Sequence, residues 1–424
     1  MIKIENVRLY TGSAYFDKAC VLTDGAFIRY AGDAKGCPDA PHARRVDGKN
    51  GLLMPGFYNA HCHAAMTLER GVGSDLNLMD WLHQIFPIED RLNGAHVYNG
   101  TRLAIVEMLR RGTVAFADMY FFMDEVARAS VEAGIRVNLC RGCVNREGLD
   151  STRELYRAHE GAADGLARVY VGLHSEYLTT PDVAAYALET ARALDTGVHV
   201  HVSETKQEVD GCLERHGVTP VKYFDDIGLF DRHTIAAHLV HVTDEDIDIL
   251  ARRGVYMAHN PASNLKLASG VAPVARMLAS GVRVALGTDG PSSNNVLDML
   301  GDMRLASLVQ KGVFGDPKLL PAAEAIKMAT RTGAQALGFP DCGLIEPGMR
   351  ADMILLSGEA ENLLPGPDPV ADAVYAAQGM NVALTMVNGR VLYEDGKFLT
   401  LDEEEVRRKA LESARALGVI GQPL

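Results

Sequence analysis

Leu52-Leu53-Met54-Pro55-Gly56-Phe57-Tyr58-Asn59-Ala60-His61-Cys62-His63 is an apolar run that ends in two imidazoles. Residues two apart on a strand point to the same side. A strand ending in His-x-His therefore presents two nitrogen donors to one point in space. Imidazole suits zinc, iron, copper and nickel, and zinc with an open position is the usual hydrolytic choice. An enzyme is expected before a passive binding module.

Outward from this run, between about residues 57 and 345, short apolar stretches alternate with helical patterns. The strand-like stretches include Thr113 to Ala117, Val169 to Leu173, Gly197 to Val202, Thr234 to Ala237, Gly254 to Ala258 and Val282 to Leu286. Segments such as Val97 to Arg111 and Asp182 to Leu194 carry apolar residues at helical spacing. Near-continuous apolar strands alternating with helices indicate a parallel sheet covered by helices. Six to eight such units in roughly 290 residues favour a closed (β/α)8 TIM barrel over an open doubly wound sheet. No G-x-G-x-x-G follows an early strand, which weakens the dinucleotide-fold alternative.

The ends read as β-structure. Ile2 to Tyr10, Ala19 to Thr23 and Ala26 to Tyr30 precede the barrel; Ala351 to Leu356, Val382 to Val387 and Gly389 to Tyr393 follow it. Asn388-Gly389 is a tight hairpin signal. The expected organisation is a small β-sandwich domain built from both termini, residues 1–56 and 348–424, around a barrel spanning 57–347. A last helix starts near Asp402, which caps Glu403-Glu404-Glu405.

A formal charge of −13 argues against nucleic acid or an anionic membrane surface as partner. The start lacks a signal-peptide pattern, and no stretch approaches a membrane span of about 18 apolar residues. The seven cysteines are odd in number and scattered, which fits a reducing cytoplasm better than a disulfide framework. Cys140-Arg141-Gly142-Cys143 has redox-motif spacing, but it follows the strand-like Ile135 to Leu139 rather than opening a helix, and coincidence is the better account. Whether the chain forms a homo-oligomer is left open.

Metal-type residues fall at strand ends: His61 and His63 at the first, His201 at the fifth, His238 at the sixth and Asp289 after the last. Active sites of this barrel lie on that face. His199 and His201 share a face by period two; His201 is nearer the barrel mouth, and His199 is read as a core histidine. Glu204 lies just beyond the strand, placed to reach a substrate, and His241 is read as an outer or surface group.

The set Met54-Pro55-Gly56, His61-x-His63, His201-x-x-Glu204, His238 and Gly287-Thr288-Asp289-Gly290 resembles the amidohydrolase superfamily. Met66 to Gly71, Trp81-Leu82, Pro87 to Arg91, His259 to Leu267 and Ser292 to Asn295 narrow the likeness to 5-methylthioadenosine/S-adenosylhomocysteine deaminases. It runs from the first strands to Glu346 through Asp352. The resemblance implies one divalent metal, zinc first with iron or manganese as alternatives, held by His61, His63, His201 and Asp289. Members with two metals use a lysine at the end of the fourth strand, where this chain has Val171-Gly172-Leu173-His174.

The resemblance further implies hydrolytic deamination of an adenine nucleoside, with Glu204 moving protons at N1, His238 orienting the nucleophile and Asp289 taking its proton. Glu89 would accept the ribose hydroxyls, His174 would touch purine and ribose, and Ser293 would lie at the substrate. Arg141 and Arg153 would grip the amino-acid carboxylate of S-adenosylhomocysteine, favouring it over uncharged methylthioadenosine. Cys62 replaces the usual Thr, pointing off the metal face; Glu176 replaces Pro and is expected to place a negative charge near the nucleoside. Competing readings are a deaminase or hydrolase of another amino-heterocycle (a pterin, guanine or triazine) and a non-catalytic scaffold.

Overall fold

The computed structural model describes residues 1–421. Strands β1 (Ile2–Tyr10), β2 (Tyr15–Asp24), β3 (Phe27–Asp33) and β4 (Arg44–Pro55) open the chain. Eight parallel strands follow: β5 (Phe57–Cys62), β6 (Thr113–Tyr120), β7 (Arg136–Arg141), β8 (Ala167–Leu173), β9 (Val198–Val202), β10 (Thr234–His238), β11 (Tyr256–His259) and β12 (Arg283–Leu286). They pair in sequence order from β5 to β12. The backbone N–H groups of Thr288 and Asp289 donate to the His61 carbonyl at 3.2 and 3.0 Å, drawing the last strand back to the first. Nearly every residue of these strands is buried, as expected where helices cover one face and side chains fill the other.

Strands β13 (Met353–Leu356), β14 (Val382–Val387), β15 (Arg390–Glu394) and β16 (Lys397–Phe398) return to the N-terminal strands. The two ends form one eight-stranded sheet ordered β16-β15-β14-β13-β4-β1-β2-β3. The β14–β15 hairpin turns on Asn388 and Gly389, with φ of 51° and 73°, the left-handed pair that a two-residue hairpin demands. Asp402 accepts from the Glu405 N–H and caps the closing helix Glu403–Ala416.

One cysteine pair departs from the sequence expectation: Cys20 on β2 and Cys37 are joined by a disulfide. The β2–β3 hairpin brings their Cα atoms to 6.0 Å, a proximity that spacing alone does not reveal. Cys140 and Cys143 stay free and buried, and burial pushes both thiols up, Cys143 to about 11, as befits inert sulfurs. Among the described residues no helix is long and apolar enough to cross a membrane.

Sheet and barrel are joined through a buried ion pair. Arg136 at the start of β7 donates through Nε and Nη2 to both oxygens of Asp352, at 2.6 and 3.2 Å, and neither side chain has any exposed area. Tyr58 of β5 donates its hydroxyl to Asp352 at 2.6 Å, and the Asn388 N–H adds 2.6 Å. Burial raises the Asp352 carboxyl, yet the Arg136 charge outweighs it and holds the group below the usual carboxylate range. Replacing Arg136 with Met would strand this buried carboxylate. The Arg136→Met protein is expected to lose about 3 kcal/mol in urea unfolding, the scale for a broken buried pair; a loss under 1 kcal/mol would show that the pair is not what fastens the terminal sheet.

Candidate metal centre and substrate cavity

At the C-terminal mouth of the barrel His61, His63 and His201 form one cluster and His61, His238 and Asp289 another, with ligand atoms within 4.8 Å of one another in each. The two clusters share His61, so five donors surround one small volume. Asp289 Oδ1 lies 3.4 Å from His61 Nε2 and 3.2 Å from His63 Nε2. Asp289 sits at φ 62°, in the turn fixed by its N–H bond to His61. Gly287 makes that approach possible: a Cβ there would fall 2.4 Å from Asn260 Oδ1 and 2.9 Å from the His61 amide nitrogen.

Outer partners set the direction of each ring. The Nδ1 atoms of His63 and His201 donate to the carbonyls of Met119 and His174 at 2.6 and 2.7 Å, so in the neutral form of each ring the lone pair lies on Nε2. His238 Nδ1 bonds Asn264 Oδ1 at 2.8 Å, and His61 Nδ1 meets His199 Nε2 at 2.9 Å. His61 Nε2 is buried without a hydrogen-bond partner. Neutral imidazoles tied down at Nδ1, with Nε2 converging beside a carboxylate, make a divalent-cation donor set.

Charge agrees with this fit. Burial drives His61 down to about 3, whereas at His63 the bond and charge of Asp289 overcome burial and lift the ring to about 9. The Asp289 carboxyl is itself held well below its usual range: burial opposes this, but the two rings prevail. The region thus calls for positive charge, which a cation supplies as well as a proton does.

Above the cluster a cavity of about 620 Å3 is lined by His63, His201, Glu204, His238 and Asp289, and by Glu89, Arg141 and His174. Glu204 is buried, its Oε2 lies 3.7 Å from His238 Nε2, and Ser269 Oγ donates to its Oε1 at 3.3 Å. Burial raises its carboxyl above the ordinary value. Burial raises Glu89 as well.

Three predicted residues are placed otherwise. Arg153 lies about two turns into the helix Arg146–His159. It donates to Thr190 Oγ1 at 3.1 Å and faces the neighbouring helix Pro181–Leu194, so it does not line the cavity. Ser293 Oγ donates to Asp289 Oδ2 at 2.9 Å, beside Ser263 at 2.5 Å; it steadies the carboxylate rather than lining the cavity. Glu176 adds no free charge near a nucleoside. It is buried against helix Lys206–His216, where Arg215 Nε and Nη2 and His216 Nε2 meet it at 2.8, 2.5 and 2.8 Å.

His199 proves to be the core histidine backing His61, and His241 bonds the Ser269 carbonyl at 2.7 Å, outside the cluster. Sequence reading gave no role to the aromatic wall of Phe86, Tyr120, Phe122 and Tyr177. Tyr120 closes β6, Phe86 lies on the helix Leu78–Glu89, and Phe122 and Tyr177 sit on loops, so no single periodic spacing marks the four rings. Trp81, which also lines the wall, donates Nε1–H to Ser292 at 3.1 Å and ties the helix Leu78–Glu89 to the Asp289 loop.

A barrel with this His/Asp cluster at its C-terminal face defines a metal-dependent hydrolase. The comparisons specify which. The chain belongs to the amidohydrolase family, whose model matches residues 52–392, and within it to the 5-methylthioadenosine/S-adenosylhomocysteine deaminases. It is 44% identical to the 5-methylthioadenosine/S-adenosylhomocysteine deaminase of Syntrophomonas wolfei, over 98% of this chain and 99% of that one. It is equally 44% identical to a 5'-deoxyadenosine deaminase of Methanothermobacter thermautotrophicus, over 88% and 89%. Among solved structures it is similar to a zinc-bound adenosine deaminase from Xanthomonas campestris, with a TM-score of 0.95, 32% identity and 99% of each chain covered. A zinc complex of atrazine chlorohydrolase from Arthrobacter aurescens gives a TM-score of 0.91 at 25% identity, over 98% of this chain and 100% of that one.

Proposed function

We propose that this protein removes the exocyclic amine of adenine by hydrolysis in nucleosides modified at the 5' position, S-adenosylhomocysteine first, with 5'-methylthioadenosine, 5'-deoxyadenosine and adenosine as further substrates. One observation carries the reading: a metal-type donor cluster and a buried Glu204 lie beneath a cavity whose walls hold Glu89 and Arg141. The deaminase names of the relatives support it.

His61, His63, His201 and Asp289 would hold one divalent cation, zinc first, with iron and manganese compatible with the same donors. Once bound, such an ion brings the pKa of water to about 7 and so provides a nucleophile at neutral pH. His238, its Nδ1–H committed to Asn264, offers a bare Nε2 that orients the attacking water. Glu204 delivers a proton to purine N1 as oxygen adds at C6. Asp289 takes one proton of the water and passes it to the amine; the C6–N bond breaks, ammonia leaves, and the remaining hydroxyl proton returns to Glu204 as the C6 carbonyl forms. Glu89 accepts the two ribose hydroxyls, and His174, with its ring centroid 4.8 Å from that of His201, borders the purine and ribose. Arg141 pairs with the amino-acid carboxylate.

Ultraviolet assays with the four nucleosides and elemental analysis test this directly. Loss of the adenine band with release of ammonia is the expected outcome; a metal-loaded protein that leaves all four unchanged would refute it. Arg141→Met is expected to lower kcat/KM for S-adenosylhomocysteine about 10- to 100-fold, the range for a lost charged hydrogen bond, and to leave 5'-deoxyadenosine within about threefold. Equal losses on both would remove Arg141 from carboxylate recognition.

A further inference from the structure

Glu208 takes no part in the steps above, yet it is buried and its carboxylate is fully engaged. Oε1 accepts the Ser203 N–H and Oε2 the Glu204 N–H, each at 2.7 Å. The local sequence Thr205-Lys206-Gln207-Glu208 has capping-box form, in which the acidic residue reaches back to the N-cap amide. Thr205 does cap helix Lys206–His216, accepting the Glu208 N–H at 3.1 Å. The Glu208 side chain, however, passes the N-cap and grips the two amides before it.

Those amides belong to the turn that leaves β9 and aims Glu204 into the cavity. Ser203 sits at φ 54°, an uncommon conformation for a residue with a side chain, and one that persists only where neighbours enforce it. Its carbonyl is held from the β10 side by the N–H groups of Val240 and His241, at 3.0 and 2.9 Å. Glu208 supplies the grip from the other side. Without it two backbone N–H groups would be buried unpaired and the turn would be free to relax.

We infer that Glu208 is a positioning residue for deamination: its carboxylate clamps the Ser203–Glu204 turn and so fixes where Glu204 delivers its proton. Helix capping does not account for it, since Thr205 performs that task. The inference rests on the role proposed for Glu204, and a wild-type protein inert toward all four nucleosides would fault that role rather than this one.

The experiment is a double-mutant cycle on the metal-loaded full chain with S-adenosylhomocysteine. Glu208→Gln turns one acceptor into a donor facing an N–H. It is expected to lower kcat about 30-fold, with KM within about threefold and metal content equal to wild type. In a Glu204→Gln background the same change should lower kcat by no more than about threefold, because the group it positions is already disabled. Multiplicative losses in both backgrounds, or lost metal, would overturn the proposal. Glu208→Asp keeps the charge on a shorter arm and covers the case in which Glu208→Gln does not fold. A kcat loss of at least tenfold at unchanged KM is expected; wild-type kcat would overturn the clamp.

Discussion

Asp289→Ala is expected to leave the purified protein with well under one metal per chain and to lower kcat/KM by at least about 10^4-fold. Asp289 is the one carboxylate in the donor clusters, and its Oδ1 stands 3.4 and 3.2 Å from the Nε2 atoms of His61 and His63. Neutral imidazoles supply lone pairs but no negative charge to balance a dication in a buried site. Free water has a pKa of 15.7 against about 7 for water on a bound ion, so loss of the ion removes nearly all nucleophile at neutral pH. Removing the carboxylate also leaves the Ser263 hydroxyl without its acceptor, while Ser293 keeps the Gly290 carbonyl at 3.1 Å. Elemental analysis and steady-state kinetics check both halves. Full metal occupancy with activity within tenfold of wild type would take Asp289 out of the centre.

The strand ends were legible because barrel geometry converts sequence position into height. Every residue that closes an apolar β-run of this barrel stands at the same mouth, which is why His61, His201 and His238 could be grouped without a structure. The same height argument separates His201 from His199: one faces the cavity and the other supports His61 from below.

Reasoning by strand height fails on helices and loops. Arg153 lies beyond the mouth on a helix, where one turn moves a side chain to a different neighbour, and its partner Thr190 belongs to another helix. Glu176 looked like a charge near the substrate because its partners, Arg215 and His216, lie 39 and 40 residues later. A lone acidic residue in sequence carries no sign of whether it is paired. Cys20 and Cys37 were hidden for the same reason, since their contact is made by a hairpin and not by spacing.

Glu176 and Glu208 together give helix Lys206–His216 a second meaning. Glu208 fastens its first turn to the end of β9, and Glu176, two residues after His174, receives Arg215 and His216 from its last turn. The helix therefore links the loop of His174 to the turn of Glu204. Both loops line one cavity, and a rigid link between them keeps the spacing of their side chains fixed while substrate enters.

Glu204→Gln is expected to separate metal binding from turnover. Glu204 is outside both donor clusters, and its nearest cluster contact is 3.7 Å, to His238 Nε2, so metal content should match wild type. The amide fills the same space and can still accept from Ser269, but it cannot release a proton to N1. General acid–base catalysis contributes about 10^2- to 10^4-fold, and here one group serves both the addition at C6 and the expulsion of ammonia, so a kcat loss near 10^3-fold is expected. Substrate affinity should change little, because Glu89 and Arg141 stand elsewhere on the wall. Burial already lifts the Glu204 carboxyl, so its protonated form survives to higher pH than a free glutamate's, which suits a proton donor at neutral pH. A Glu204→Gln protein that keeps its metal and turns over within tenfold of wild type would mean that the proton reaches N1 by another route.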